Sequence, residues 1–254
     1  MINTGSMTET GSMTETGSMT ETGSMTETGS KFADNLARVQ ERIAKAAGRA
    51  GRKAGDITLV AVSKRQTPQA VRQALECGLL DLGENYVQEA QDKQVLLPRQ
   101  ELASVRWHLI GHLQSNKAKA AVAVFDLIQS VDSVSLAQAI GRQAQAAGKV
   151  QEVLVQVHLG DEATKSGIAP AQAVDMAGEI AAVPNIALRG LMGIAPGGQE
   201  PQPYFQQLRS LFEALPPAHR QTLSMGMTGD FEAAIREGAT MLRIGTALFG
   251  PRTN

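Results

Sequence analysis

The 254-residue sequence predicts an α/β fold, a single (β/α)8 barrel of the TIM type, with an N-terminal helix and a disordered leader ahead of it. Three observations lead there. A repetitive leader can be set aside, leaving one barrel's length of chain; eight short apolar runs alternate with helical stretches; and the chemistry-bearing residues gather at the ends of the first and last runs.

Residues 5–28 are four copies of Gly-Ser-Met-Thr-Glu-Thr, followed by Gly29-Ser30. Methionine is the only apolar residue in each unit, too little surface to offset the roughly 1–2 kcal/mol per residue of backbone ordering. Residues 1–30 are therefore expected to be disordered, since the regularly placed branched residues of a stacked β-helix are missing. Residues 31–254 remain as one domain, close to the ~250 residues of one barrel.

The first helix is expected over 32–50, because Phe32, Leu36, Val39 and Ile43 recur at spacings of four, three and four, with Ser30 and Gly51 at its ends. Eight runs read as strands: 57–63, 80–83, 106–111, 126–130, 152–159, 187–193, 222–226 and 241–245. Between them lie helix signals. Thr67-Pro68 serves as cap and first residue before Val71, Ala74 and Leu75, and Asp132-Ser133 opens a stretch carrying Leu136, Ile140 and Ala144. This alternation is that of a parallel sheet covered on both faces, and eight units indicate closure rather than an open sheet. The last run leaves about nine residues before Asn254, too few for a normal final helix, so the helix at 32–50 is expected to fill that gap in the outer ring.

Composition excludes several function classes. With 24 basic and 25 acidic residues there is no basic stripe for a nucleic-acid backbone. No stretch approaches the ~18–20 apolar residues of a membrane span. Cys77 is alone, so no intramolecular disulfide forms, and the N-terminus lacks a secretory signal; a cytoplasmic protein is expected.

Lys64 follows Leu59-Val60-Ala61-Val62-Ser63, at the end of the first strand where barrel active sites assemble. It reads either as a lysine whose ammonium reaches water or as an amine kept neutral by desolvation for attack on an aldehyde. Ser224, Gly245 and Thr246 stand at the ends of strands seven and eight, where many barrels bind phosphate, although turn chemistry alone accounts for such residues equally well. Arg243 lies two residues before Gly245 and shares its face; it is either a partner for a ligand ring or an ion-paired rim residue. His108 and His112 lack the companions of a metal site and read as structural or mouth histidines. Lys165 reads as a solvated lysine or a second anion contact.

AVSK at 61–64, GENYVQEA at 83–90, WHLIGHLQSNK at 107–117, DEATKSGI at 161–168, RGLMGI at 189–194, LSMGMTGDFEAAI at 223–235 and RIGTALFG at 243–250 together resemble the YggS/PROSC family of pyridoxal-phosphate homeostasis proteins. The resemblance spans essentially residues 32–252. It implies a barrel like the N-terminal domain of alanine racemase, with pyridoxal 5′-phosphate held on Lys64 as a Schiff base. It further implies that Ser224, Gly245 and Thr246 hold the phosphate, that Arg243 faces the ring nitrogen, and that Asn85 and Met225 lie close to the ring. Thr228 stands where a serine is frequent. The implied role is homeostasis of the cofactor and its delivery to apo-enzymes, as a monomer without robust turnover; the alternatives are an amino-acid racemase and a non-catalytic scaffold. Racemisation needs a second proton donor facing Lys64, and Tyr86 and Tyr204, the only tyrosines, fall in expected helical segments.

Overall fold

The computed structural model describes residues 22–160 and 166–251. Its eight strands are β1 (Thr58–Val62), β2 (Asp81–Glu84), β3 (Arg106–Leu109), β4 (Leu127–Val131), β5 (Gln151–His158), β6 (Ile186–Ile194), β7 (Thr222–Ser224) and β8 (Met241–Ile244). They close into a parallel barrel in sequence order, and each overlaps an expected run. The ring closes where β1 pairs with β8, Val60 beside Arg243 and Ala61 beside Ile244.

Alternation along the strands sorts their side chains. Val60, Leu127, Leu154, Met192 and Met241 form one cluster although they come from five different strands, which is only possible inside the barrel. The opposite faces, among them Ala61, Leu109, Ile128, Val155 and Leu242, join the larger core beneath the helices. These helices are α1 (Thr22–Arg49), α2 (Pro68–Glu76), α3 (Val87–Leu96), α4 (Arg99–Leu102), α5 (Ala118–Val124), α6 (Val134–Ala146), α7 (Ala173–Ala181), α8 (Gln202–Ala214), α9 (Phe231–Arg236) and α10 (Thr246–Phe249). Thr67 and Ser133 cap α2 and α6 by accepting the N–H groups of Ala70 and Leu136. No helix among the described residues is long and apolar enough to cross a membrane.

Among the described residues four of helix, α10, follow β8, and α1 covers the gap beside them. Its face of Phe32, Leu36, Val39, Ile43 and Ala47 is buried. Asn35 donates to the Leu248 carbonyl at 2.8 Å, the rings of Phe32 and Phe249 stand 5.2 Å apart, and the Arg42 guanidinium lies 4.4 Å above Phe231. The helix starts at Thr22, ahead of the expected 32 and within the repeat that was expected to be disordered. Once 32–49 is packed, further turns need only propagation and not a new nucleus. The rest of the leader, residues 1–21, lies outside the described residues.

Removing residues 1–50 should strip the cover from Phe231 and Leu248, both fully buried, and the truncated chain is expected to be recovered as aggregate. In the full-length chain Phe32→Ala should cost about 3–5 kcal/mol in a denaturant titration.

Candidate functional site

Lys64 sits two residues past β1, on the alternation that places Val60 and Val62 inside. Its neighbours are tied from the helical side. The Ser63 hydroxyl donates to Glu84 Oε1 at 2.6 Å, and the Lys93 ammonium on α3 donates to the Ser63 carbonyl at 2.6 Å, to Glu84 Oε1 at 2.6 Å and to Glu89 Oε1 at 2.9 Å. Arg65 takes a left-handed backbone conformation, φ 60°, and its N–H donates to the same Glu89 carboxylate. Burial pushes the Glu84 carboxyl up while Lys93 pulls it down. With two donors converging on Oε1, the ionised form is the one the geometry serves.

Lys64, Val62, Gln66, Gly245, Thr246 and Gly250 line one small cavity of about 30 Å³ at the seam between β1 and β8. A side chain at Gly245 would bring its Cβ to 3.2 Å from the Val62 carbonyl oxygen and crowd that floor. The loop after β7 reaches the same corner. Gly226, at φ 93°, turns the chain where a Cβ would meet that of Ala234 at 2.6 Å, and its carbonyl accepts the Arg243 N–H. Beyond it Thr228 Oγ1 accepts the Ala247 N–H at 3.3 Å, and Asp230 accepts the Met227 N–H at 2.6 Å.

Arg243 is buried inside the barrel. Nη1 donates to Ser224 Oγ at 2.6 Å and Nη2 to the Gly193 carbonyl at 2.9 Å. Burial lowers its pKa to about 10, opposed by the charge of Asp230, so it remains a cation at neutral pH. Ser224 passes its own proton to Gln129 Oε1 at 2.6 Å; Gln129 Nε2 is 3.0 Å from His108 Nδ1; His108 Nε2 is 2.8 Å from Asp81.

The expected site residues therefore divide. Lys64, Gly245 and Thr246 share a cavity, with Arg243 on the same inner face. Ser224, expected at a phosphate, faces into the barrel, bonded to Arg243 and Gln129. Met225, expected near the ring, alternates outward into the core beneath the helices. Asn85 lines two neighbouring cavities together with Gly111 and His112. His108 is fully buried inside the barrel, whereas His112 is exposed near Asp132 at the mouth. Lys165 lies outside the described residues.

Sequence reasoning passed over Gln129, Asp81 and Lys93. The signal for Gln129 was present: it is a polar residue in an apolar run, on the same alternation as Leu127. Thr228 was noted only as a variant position, although its hydroxyl borders the corner at α10.

Residues 34–253 match the family model for the alanine racemase N-terminal domain. The chain is 40% identical over 225 residues to the pyridoxal phosphate homeostasis protein of Escherichia coli K12, covering 87% of this chain and 96% of that one. It is 44% identical over 228 residues to that of Pseudomonas aeruginosa, with 88% and 96% covered. PipY of Synechococcus elongatus PCC7942, solved with pyridoxal phosphate bound, superposes with a TM-score of 0.74 at 37% identity over 86% of this chain and all of that chain. An alanine racemase of Clostridium difficile shares the fold at 16% identity, TM-score 0.65, and this chain covers 58% of it.

Lys93→Met should strand the fully buried Glu84 without its cation and cost about 3–5 kcal/mol, read by denaturant titration. Burial holds His108 below its ordinary value of 6.5, so the unfolded chain takes up a proton first as the pH falls. The stability due to neutral His108 is present above that value and lost beneath it. Melting temperatures from about pH 7.5 to about pH 5 are expected to fall more steeply for wild type than for His108→Gln.

Proposed function

Because the chain belongs to the YggS/PROSC family of pyridoxal phosphate homeostasis proteins, built on the alanine racemase N-terminal domain, we propose that it binds pyridoxal 5′-phosphate through a Schiff base on Lys64 and delivers it to apo-enzymes. It acts in this reading as a cytoplasmic monomer with no turnover of its own. The observation that carries the proposal is the single cavity bordered by Lys64, Gly245 and Thr246, with Arg243 beside it on the inner face.

The residues fit the group. Lys64 supplies an amine, Gly245 a backbone uncrowded by a side chain, and Thr246 and Thr228 short hydroxyls at the corner where a phosphate would lie. The cofactor, when bound, supplies an aldehyde for amines and a ring that withdraws electrons. Arg243 carries only donors, so it suits an unprotonated ring nitrogen, and a neutral ring is the weaker electron sink. A racemase would be built on the same cradle, so the separation of carrier from racemase falls to the second proton donor.

The tyrosines favour the carrier reading. Tyr86 is 61% exposed at the start of α3, and Tyr204 on α8 donates to Gln199; neither borders the Lys64 cavity. A racemase needs a proton donor on each face of the substrate carbon.

Borohydride reduction of the cofactor-loaded chain followed by mass spectrometry should locate the adduct on Lys64. Lys64→Ala should lose the adduct and keep some cofactor through the phosphate contacts. An adduct on another lysine, such as Lys165, would overturn the attachment. Loaded protein mixed with an apo-enzyme should restore its activity, and incubation with D- or L-alanine should leave optical rotation unchanged; sustained racemisation would overturn the carrier reading, and neither transfer nor racemisation would favour a scaffold.

A further inference from the structure

We propose that Asp81, His108 and Gln129 are positioning residues that act on the cofactor through Arg243, as a directed hydrogen-bond relay running through the barrel interior. The proposal rests on the reading of Arg243 as the partner of the ring nitrogen. Its links are short throughout: Arg243 to Ser224 2.6 Å, Ser224 to Gln129 2.6 Å, Gln129 to His108 3.0 Å, His108 to Asp81 2.8 Å. Ser224, Gln129 and His108 are fully buried. Asp81, the first residue of β2, is partly exposed at the strand end away from Lys64.

The direction of the protons follows from one fact, that a guanidinium donates and never accepts. Ser224 must accept from Arg243, so its only proton goes to Gln129 Oε1. That orients the Gln129 amide with its nitrogen toward His108 and toward the Met241 sulfur at 3.2 Å, an acceptor that a reversed amide would meet with its oxygen. His108 must then keep Nδ1 bare and carry its proton on Nε2, where the Asp81 carboxylate accepts it. Burial disfavours the imidazolium that would break this order, although Asp81 opposes that effect.

The consequence lies at Arg243. Ser224 takes one N–H of Nη1 and the Gly193 carbonyl one of Nη2, which fixes the plane of the guanidinium. The remaining three of its five N–H groups are left for Arg243's other neighbours, the ring nitrogen among them. A buried network satisfied at every member holds one geometry, whereas one missing acceptor leaves each group above it free to reorient.

Asp81 makes the test clean, because its place at the far strand end keeps it from touching anything bound at Lys64. Asp81→Ala removes the terminal acceptor; Asp81→Asn restores one through its amide oxygen. Asp81→Ala should weaken pyridoxal phosphate binding about five- to tenfold and shift the bound cofactor's absorption band, while Asp81→Asn stays within about twofold of wild type on both. Nitrogen-15 NMR of His108 in the cofactor-free full chain should show Nε2 protonated and Nδ1 bare at neutral pH, and Gln129→Met, which ends both amide bonds at similar volume, repeats the binding test should Asp81→Ala fail to fold. A proton on Nδ1 overturns the relay. So does an Asp81→Ala or Gln129→Met variant that melts lower yet keeps wild-type affinity and spectrum, the signature of a purely structural role. Wild type that takes up cofactor but is indifferent to these changes sinks the relay alone; wild type that takes up none sinks the functional reading with it.

Discussion

The pairing of β1 with β8 is the contact on which the site depends. Lys64 and Arg243 come from opposite ends of the domain, and only closure of the ring sets Val60 beside Arg243 and Ala61 beside Ile244. From that register the rest follows by strand alternation, since Lys64 continues the inner row of Val60 and Val62, and Gly245 continues the inner row of Arg243. A barrel slipped by one residue at this seam would turn the amine outward. The seam is guarded from outside by α1, whose buried face meets α9 and α10.

Placing a guanidinium inside a barrel is costly unless its donors are met. The protein meets two of them, one with the Gly193 carbonyl and one with a line of side chains ending at a carboxylate. The interior thus has two characters: an apolar cluster around Leu154 and Met192, and a polar line crossing it from Asp81 to Arg243. Lys64 has a counterpart on the outer side of the wall, where Lys93, Glu84 and Ser63 fix the backbone from which the amine projects. Inner relay and outer clamp each fix one of the two basic residues of the site in a defined place.

Much of this was legible in the residues, for identifiable reasons. Short-range signals carried the eight strands, the Thr67 and Ser133 caps and the period of the first helix, because they depend on local backbone chemistry and on which faces must be buried. Grouping Lys64 with Gly245 and Thr246 followed from the fold class, which always places strand ends at one mouth. Ser224 and Met225 were less transparent: residue type suited both to a ligand, but the alternation of β7 turned one into the barrel and the other toward the helices. The extension of α1 back to Thr22 had no such signal, since six-residue repeats with one apolar position carry none of their own.

By itself the sequence determined the class of fold, the order of its elements and the kinds of group available at each strand end, since these rest on local pattern and residue chemistry. Tertiary structure alone decided which polar groups meet inside the ring. Asp81, His108, Gln129, Ser224 and Arg243 stand on five different strands, and their proton order exists only when closure brings them within hydrogen-bonding distance, because a hydrogen bond is a matter of ångströms and angles that no spacing along the chain encodes.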